Sequence, residues 1–296
     1  MPRDHPPPLF ISAVGNDSTG ESLLSNLKHL DTRGVLISSD ESTASYTGII
    51  DKKGECLMGI GDMAAHMLIT AEHVQKFQST LENCPIFVID GNIPQDTMDY
   101  ILRVAKQNGI PVWFEPTDAK KAYKAFISGH VIDFASPNLN ELRTLMENQG
   151  ASQSQLTPRE DPPSAILKEA FELSHMAMSI VNTLFVTLGK LGVMVTSKGS
   201  INDPLIKCCS TKCATTRLYP PPIVSTFVSV SGAGDCFAAG VGAGMLKNLP
   251  ESECVAAGTA AAAMSIAAHS TVPSELNAES IPWGSTAKYQ IIPNNF

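Results

Sequence analysis

Ser231-Gly232-Ala233-Gly234-Asp235 is the run in this sequence best suited to chemistry. It stands between an apolar stretch and a helical pattern, and its glycines let the backbone turn tightly and approach a ligand closely. The free N–H groups and dipole of a helix starting there make an anion site. Asp235 falls in the first helical turn, where its carboxylate can take a proton from a substrate hydroxyl while the amides hold phosphate charge. General-base help of this kind contributes roughly 10²–10⁴-fold, and each donor aimed at developing charge about 3–4 kcal/mol. The same five residues also read as an ordinary helix start with an acid complementing the dipole. A second run, Thr187-Leu188-Gly189-Lys190-Leu191-Gly192, directly follows a β-rich stretch. Its glycines and hydroxyl suit a backbone passing close to nucleotide phosphates, with Lys190 as charge partner, or else a plain β-turn. In the third, Pro137-Asn138-Leu139-Asn140-Glu141, Pro137 opens a helix and Asn138 and Glu141 share one face at i, i+3. That pair suits a magnesium ion bound largely through water, and equally an N-capped helix with an acidic first turn.

The elements that must position these runs alternate along the chain. Leu9–Val14 reads as a strand, and Leu23, Leu24 and Leu27 then recur at helical spacing. Val35–Ile37, Ala44–Ile50 and Glu55–Gly59 read as short strands, the last two flanking the turn signal Asp51-Lys52-Lys53-Gly54. Pro85–Ile89, Val112–Glu115, Val131–Phe134 and Leu184–Leu188 are β-rich, with helices expected at Gln95–Gln107, Ala119–Ser128 and Ile166–Ser179. Gly192–Ser197 and Ser200–Tyr219 form a strand-and-loop excursion, and Gly150–Pro163 a loop. A strand at Val224–Val230 leads to two small-residue helices, Ala233–Leu246 and Ser252–Ala268. Strands spaced by helices imply βαβ units and a parallel sheet covered on both faces. With no clean linker, the expectation is one α/β domain over 1–296, with 44–59 as an accessory flap and 1–8 as a disordered Pro-rich start.

The 296 residues carry 21 Lys and Arg against 29 Asp and Glu, a formal charge of −8. That balance argues against gripping nucleic acid or an anionic membrane through bulk charge. No apolar run is long enough to span a bilayer. The first residues lack the apolar stretch of a signal peptide, so the seven Cys are expected as reduced thiols in the cytoplasm. Cys208, Cys209 and Cys213 cluster without a nearby His and read as free thiols rather than a zinc site. His66 and His73 read as ordinary helix or loop residues, and Trp113 and Phe114 as core.

Taken in order, the three runs resemble those of the ribokinase/PfkB family of small-molecule kinases, and the resemblance extends from about Leu9 to the last helix. It implies a doubly wound, Rossmann-like, mainly parallel sheet sandwiched by helices, with a small β lid. It makes Asp235 the catalytic base and Gly232, Ala233 and Gly234 the anion hole. Asn138 and Glu141 become the magnesium-organising pair, and Thr187, Gly189 and Gly192, with Lys190, the ATP-binding turn. Gly258–Ser265 matches the helix lining the adenine pocket. Ile11–Asp17 resembles the segment leading into the family's second helix. Tyr46 on the lid and Asp17 fall on the substrate side. Gly61-Asp62-Met63, Val112–Asp118 and Ala267–Val272 look most like the pseudouridine kinase branch. That implies ATP- and Mg²⁺-dependent phosphorylation of a nucleoside 5′-hydroxyl, with a small-molecule substrate and a homodimer formed through the lid as an optional assembly.

Two departures from the family pattern stand out. The family opens with a strand carrying an Asp and a Gly-Gly pair that hold sugar hydroxyls, whereas this chain enters at what resembles the second strand and has no Gly-Gly. Ser229 stands where relatives carry an Asp or Asn that helps hold a monovalent cation, so that cofactor is optional. The sequence therefore leaves open a catalytically impaired, truncated homologue that binds nucleotide or a partner, and a kinase for another sugar such as ribose.

Overall fold

The computed structural model describes residues 6–50, 56–127, 129–150, 162–207, 213–224 and 226–293. They divide into two compact units, one drawn from residues up to 84 and from 92–110, the other from 85–91 and 111 onward.

In the first unit, β1 (Leu9–Gly15) and β2 (Asp31–Ser38) pair in parallel, joined by α1 (Ser18–Asn26). Asp17 caps α1, accepting from Gly20 N at 2.8 Å. β3 (Ser45–Ile50) and β4 (Cys56–Asp62) form the expected antiparallel pair, while the turn expected at 51–54 lies outside the described residues. Two short helices, α2 (Ala71–Gln75) and α3 (Gln78–Leu81), precede the amphipathic α4 (Gln95–Asn108). Met98, Ile101, Leu102 and Ala105 recur at helical spacing on the buried face of α4, and Gly109 ends it in the left-handed conformation. His73 is structural: its Nε2 lies 2.8 Å from Gly34 O.

The second unit is built on a seven-stranded sheet in the order β11-β10-β9-β8-β7-β6-β5. Its parallel half comprises β5 (Phe87–Asp90), β6 (Val112–Glu115), β7 (Ile132–Ala135) and β8 (Val181–Thr187). The other half, β9 (Val193–Ser197), β10 (Thr215–Tyr219) and β11 (Gln290–Ile292), runs antiparallel. The helices are α5 (Leu139–Asn148), α6 (Pro163–Ala177), α7 (Ala233–Leu246) and α8 (Glu251–Ala267). Strand residues are apolar on both faces because helices cover the sheet. Trp113 stacks on Phe134 and Phe185, with centroids 6.0 and 5.2 Å apart, and Phe237 of α7 meets Phe185 edge-on. Trp113 and Phe114 are core residues, as expected.

Two expected elements are absent among the described residues. Val224–Val230 forms no strand among its described residues, and Ile223, Phe227 and Val230 are exposed. The preceding Pro220–Pro222 offers no N–H donors, and the segment is held instead by Val228 N and Ser229 N bonding to Ile266 O. Where a helix is expected at Ala119–Ser128, the described residues 119–127 are turns with one 3₁₀ turn at Lys124–Phe126. Its buried Ala122 and Ala125 stand three apart, the 3₁₀ period.

Candidate functional site

The Gly-Ala-Gly-Asp run lies where expected, at the start of α7. Gly232 is the N-cap, with φ +79°, and a Cβ there would sit 2.4 Å from Thr271 O. Both the left-handed backbone and the close approach exclude a side chain. Ser265 of α8 holds the turn from behind, donating to Thr271 O at 2.9 Å and to Ser231 O at 3.2 Å. Asp235 follows in the first helical turn and is exposed. A Cβ at Gly234 would meet nothing within 4 Å, so the helix start faces open space.

β8 delivers the other two runs to one place. Asn138 bridges Thr187, and Thr187 N donates to Pro137 O at 3.1 Å. Pro137 precedes the helix, and Asn138 is the N-cap of α5 in a reciprocal capping box. Glu141 N donates to Asn138 Oδ1 at 3.0 Å, and Asn138 N donates to Glu141 Oε2 at 2.8 Å. After Thr187, a 3₁₀ turn at Gly189–Leu191 carries an exposed Lys190. Gly192 has φ +93°, and its Cβ would lie 2.0 Å from Tyr219 O, so its first duty is to let β10 pass.

Four carboxylates influence one another here. Burial raises the Glu141 carboxyl above its ordinary range, with the charges of Asp118 and Asp235 adding to the effect. Burial pushes Glu115, at the end of β6, up to about 8, opposed by hydrogen bonds from Ser136 and Trp113 and reinforced by Glu141 and Asp235. Glu115, inside the Val112–Asp118 stretch but given no role from the sequence, and Ser136, which lies in no motif, join the candidate site because the C-terminal ends of β6 and β7 are neighbours. Thr117 is a third, with φ +73°, unusual for a β-branched residue, and its Oγ1 accepts from Gly91 N at 3.1 Å. Among the described residues, no group of three or more His, Cys, Asp and Glu is packed closely enough to ligate a metal directly.

The Glu115 shift gives a pH signature. Its ordinary value is 4.5, so between about 4.5 and 8 the folded chain keeps a proton the unfolded chain loses, and folding weakens as pH rises through that window. The melting temperature of the unaltered protein is expected to fall relative to that of Glu115→Gln by roughly 8–15 °C across the window. Parallel pH profiles for the two proteins count against a buried, proton-holding Glu115.

The two residues expected on the substrate side, Asp17 and Tyr46, lie in the first unit. Asp17 is fully engaged: Oδ1 accepts from Gly20 N and Thr43 Oγ1, Oδ2 accepts from Thr43 N, and these bonds lower its pKa. Tyr46 on β3 lies across Gly59 of the facing strand and is 63 % exposed. Of the clustered cysteines, Cys213 is exposed, while Cys208 and Cys209 lie outside the described residues.

The sequence pattern of the pfkB family carbohydrate kinases matches residues 7–278, running through both units. The chain belongs to that family. The pfkB-family chain is 24% identical to pseudouridine kinase from Arabidopsis thaliana, over 93% of its own length and 81% of the relative's. It is 28% identical to pseudouridine kinase from Escherichia coli, over 83% and 70% of the two chains. Among solved structures, ribokinase from Arabidopsis thaliana, complexed with ribose and ATP, superposes with a TM-score of 0.68 at 18% identity, covering 90% of this chain and 79% of that one. The fold of this pfkB member is thus ribokinase-type. No described helix is long and apolar enough to cross a membrane.

Proposed function

We propose that this protein is an ATP-dependent kinase that phosphorylates the 5′-hydroxyl of a nucleoside, pseudouridine being the first choice. One observation carries the reading: the left-handed turn at Gly232 opens α7 onto open space and sets Asp235 in its first turn, in electrostatic reach of Glu141. Asp235 serves as general base, taking the proton of the attacking hydroxyl. The N–H groups of Gly232, Ala233 and Gly234 receive charge on the transferring phosphoryl group, and the helix dipole adds to them. Thr187, Gly189, Lys190 and Gly192 form the nucleotide-side turn. The low identity to two pseudouridine kinases supports the choice of acceptor.

The donor set fits magnesium. The capping box uses one Glu141 oxygen and leaves the other, and crowded carboxylates favour a cation. Asn138 and Glu141 would hold the ion largely through its waters, since no compact ligand cluster is present among the described residues. When bound, it neutralises charge on the β- and γ-phosphates. Asp17 and Tyr46 are assigned to the acceptor side, Asp17 through the segment it pins to Thr43.

An ADP-release assay over pseudouridine, uridine, adenosine and ribose tests the reading. Turnover highest with pseudouridine is expected, and activity confined to ribose or absent throughout sinks it. Glu141→Gln keeps the capping box, because Gln serves equally at that position, yet removes the charge. It is expected to raise the Mg²⁺ concentration for half-maximal rate about tenfold. An unchanged magnesium titration removes Glu141 from the metal site.

A further inference from the structure

Trp113, Glu115 and Ser136 form a linked set at the corner where β7 passes toward α5. Trp113 Nε1 donates to Ser136 Oγ at 2.8 Å, and Ser136 Oγ is in turn hydrogen-bonded to Glu115 Oε2. Ser136 N also donates to Phe114 O at 3.3 Å, so both the backbone and the side chain of this residue are tied to β6. Trp113 and Ser136 are 1 % and 6 % exposed, and the indole is held between Phe134 and Phe185. The set therefore rests on the rigid centre of the sheet. The next two residues are Pro137, whose carbonyl accepts from Thr187 N, and Asn138, which caps α5 together with Glu141. A shift of Ser136 must move the cap, and with it the Glu141 carboxylate. A half-buried carboxyl at the end of a strand is costly unless it is hydrogen-bonded, and this one is tied to the residue that begins the corner.

We propose that Glu115 is a positioning residue for phosphoryl transfer: acting through Ser136, it fixes the Ser136–Pro137–Asn138 corner and so the setting of the Asn138–Glu141 cap. The inference rests on the kinase reading of the site. Displacing a reacting constellation by about 1 Å costs roughly 10²-fold in rate, so a small side-chain truncation here carries a measurable penalty. Glu115 acts by hydrogen bonding rather than by charge, which separates it from Asp235 and Glu141. An amide at this position still accepts from Ser136, whereas a methyl does not.

Glu115→Ala, Glu115→Gln, Ser136→Ala and the Glu115→Ala/Ser136→Ala double variant test this. All are made in a Trp283→Phe background, so that fluorescence reports Trp113. Two readouts are used: kcat and KM with the best acceptor, and Trp113 fluorescence during Mg²⁺ titration at fixed ADP, which needs no acceptor. Glu115→Ala and Ser136→Ala are each expected to lower kcat roughly 10–100-fold, to raise the Mg²⁺ midpoint of the fluorescence titration several-fold, and to leave acceptor KM within about twofold. Glu115→Gln is expected within about threefold of the parent in both readouts. The double variant is expected to match the single ones, because both remove the same link. The proposal is overturned by Ala variants with parental kcat and Mg²⁺ midpoint, by additive losses in the double variant, or by a Gln variant as impaired as Ala. If no acceptor is phosphorylated, the kinase reading fails, yet the fluorescence cycle still decides whether Glu115 and Ser136 act as one unit.

Discussion

Asp235→Asn lowers kcat by roughly 10²–10⁴-fold, the contribution of a positioned general base, while the melting temperature stays within about 2 °C. The separation follows from where Asp235 sits. Its carboxylate is exposed in the first turn of α7 and takes no part in the hydrogen bonds that hold the Gly232 turn, which run through Ser265, Ser231 and Thr271. Asn has the same shape and leaves the backbone amides in place, so nucleotide binding is retained. Asn does lose the favourable interaction of a negative charge with the helix dipole, a loss of about 0.3–1 kcal/mol. Steady-state kinetics with an ADP-binding titration checks both halves. Turnover within tenfold of the parent removes Asp235 from the role of base, and lost ADP binding shows that it organises the loop instead.

Arg217→Met is expected to destabilise the protein by about 3–5 kcal/mol, the cost of stripping one partner from a buried ion pair. Arg217 and Glu251 are 5 % and 2 % exposed. Arg217 Nη1 donates to both Glu251 oxygens, at 3.2 and 3.1 Å, and Ser197 Oγ and Tyr219 Oη donate to the same carboxylate. The network joins β9, β10 and the first residue of α8, the helix that also supplies Ser265 to the Gly232 turn. Burial raises the Glu251 carboxyl despite Arg217, and burial pushes the Tyr219 hydroxyl upward as well, with the neighbouring Glu251 charge adding. With Arg217 gone, the carboxylate rises further and takes a proton, so the deficit shrinks as pH falls. Chemical denaturation at several pH values measures this. Adding Glu251→Leu to Arg217→Met is expected to restore most of the loss, because it removes the orphaned charge. A double variant no more stable than the single one means that packing, not charge, dominates.

Some of this was legible along the chain and some was not. The Gly232–Asp235 turn was legible because its determinants are local: two glycines, an acid in a first turn, and a helix behind them. The reciprocal cap of Asn138 and Glu141 was legible for the same reason, three residues being one helical turn. The strand expected at Val224–Val230 was not realised. Its residues have β-forming side chains, but a strand exists only where a neighbour supplies a ladder, and three prolines precede this one. The antiparallel half of the large sheet was likewise hidden, since strand direction depends on connections that residue patterns do not encode.

The sequence by itself determined the order of elements, the chemical types available at each turn, and membership of a kinase family, because these depend on short-range periodicity and on residues adjacent in the chain. Only the tertiary structure decided which groups meet. Glu115 and Ser136 stand 21 residues apart and become partners because β6 and β7 are adjacent in the sheet. Arg217 and Glu251 stand 34 apart and form one buried pair. Asp17, which the family resemblance puts on the substrate side, meets Thr43 across 26 residues. Hydrogen bonding and desolvation act through distance in space, and that distance is created by folding.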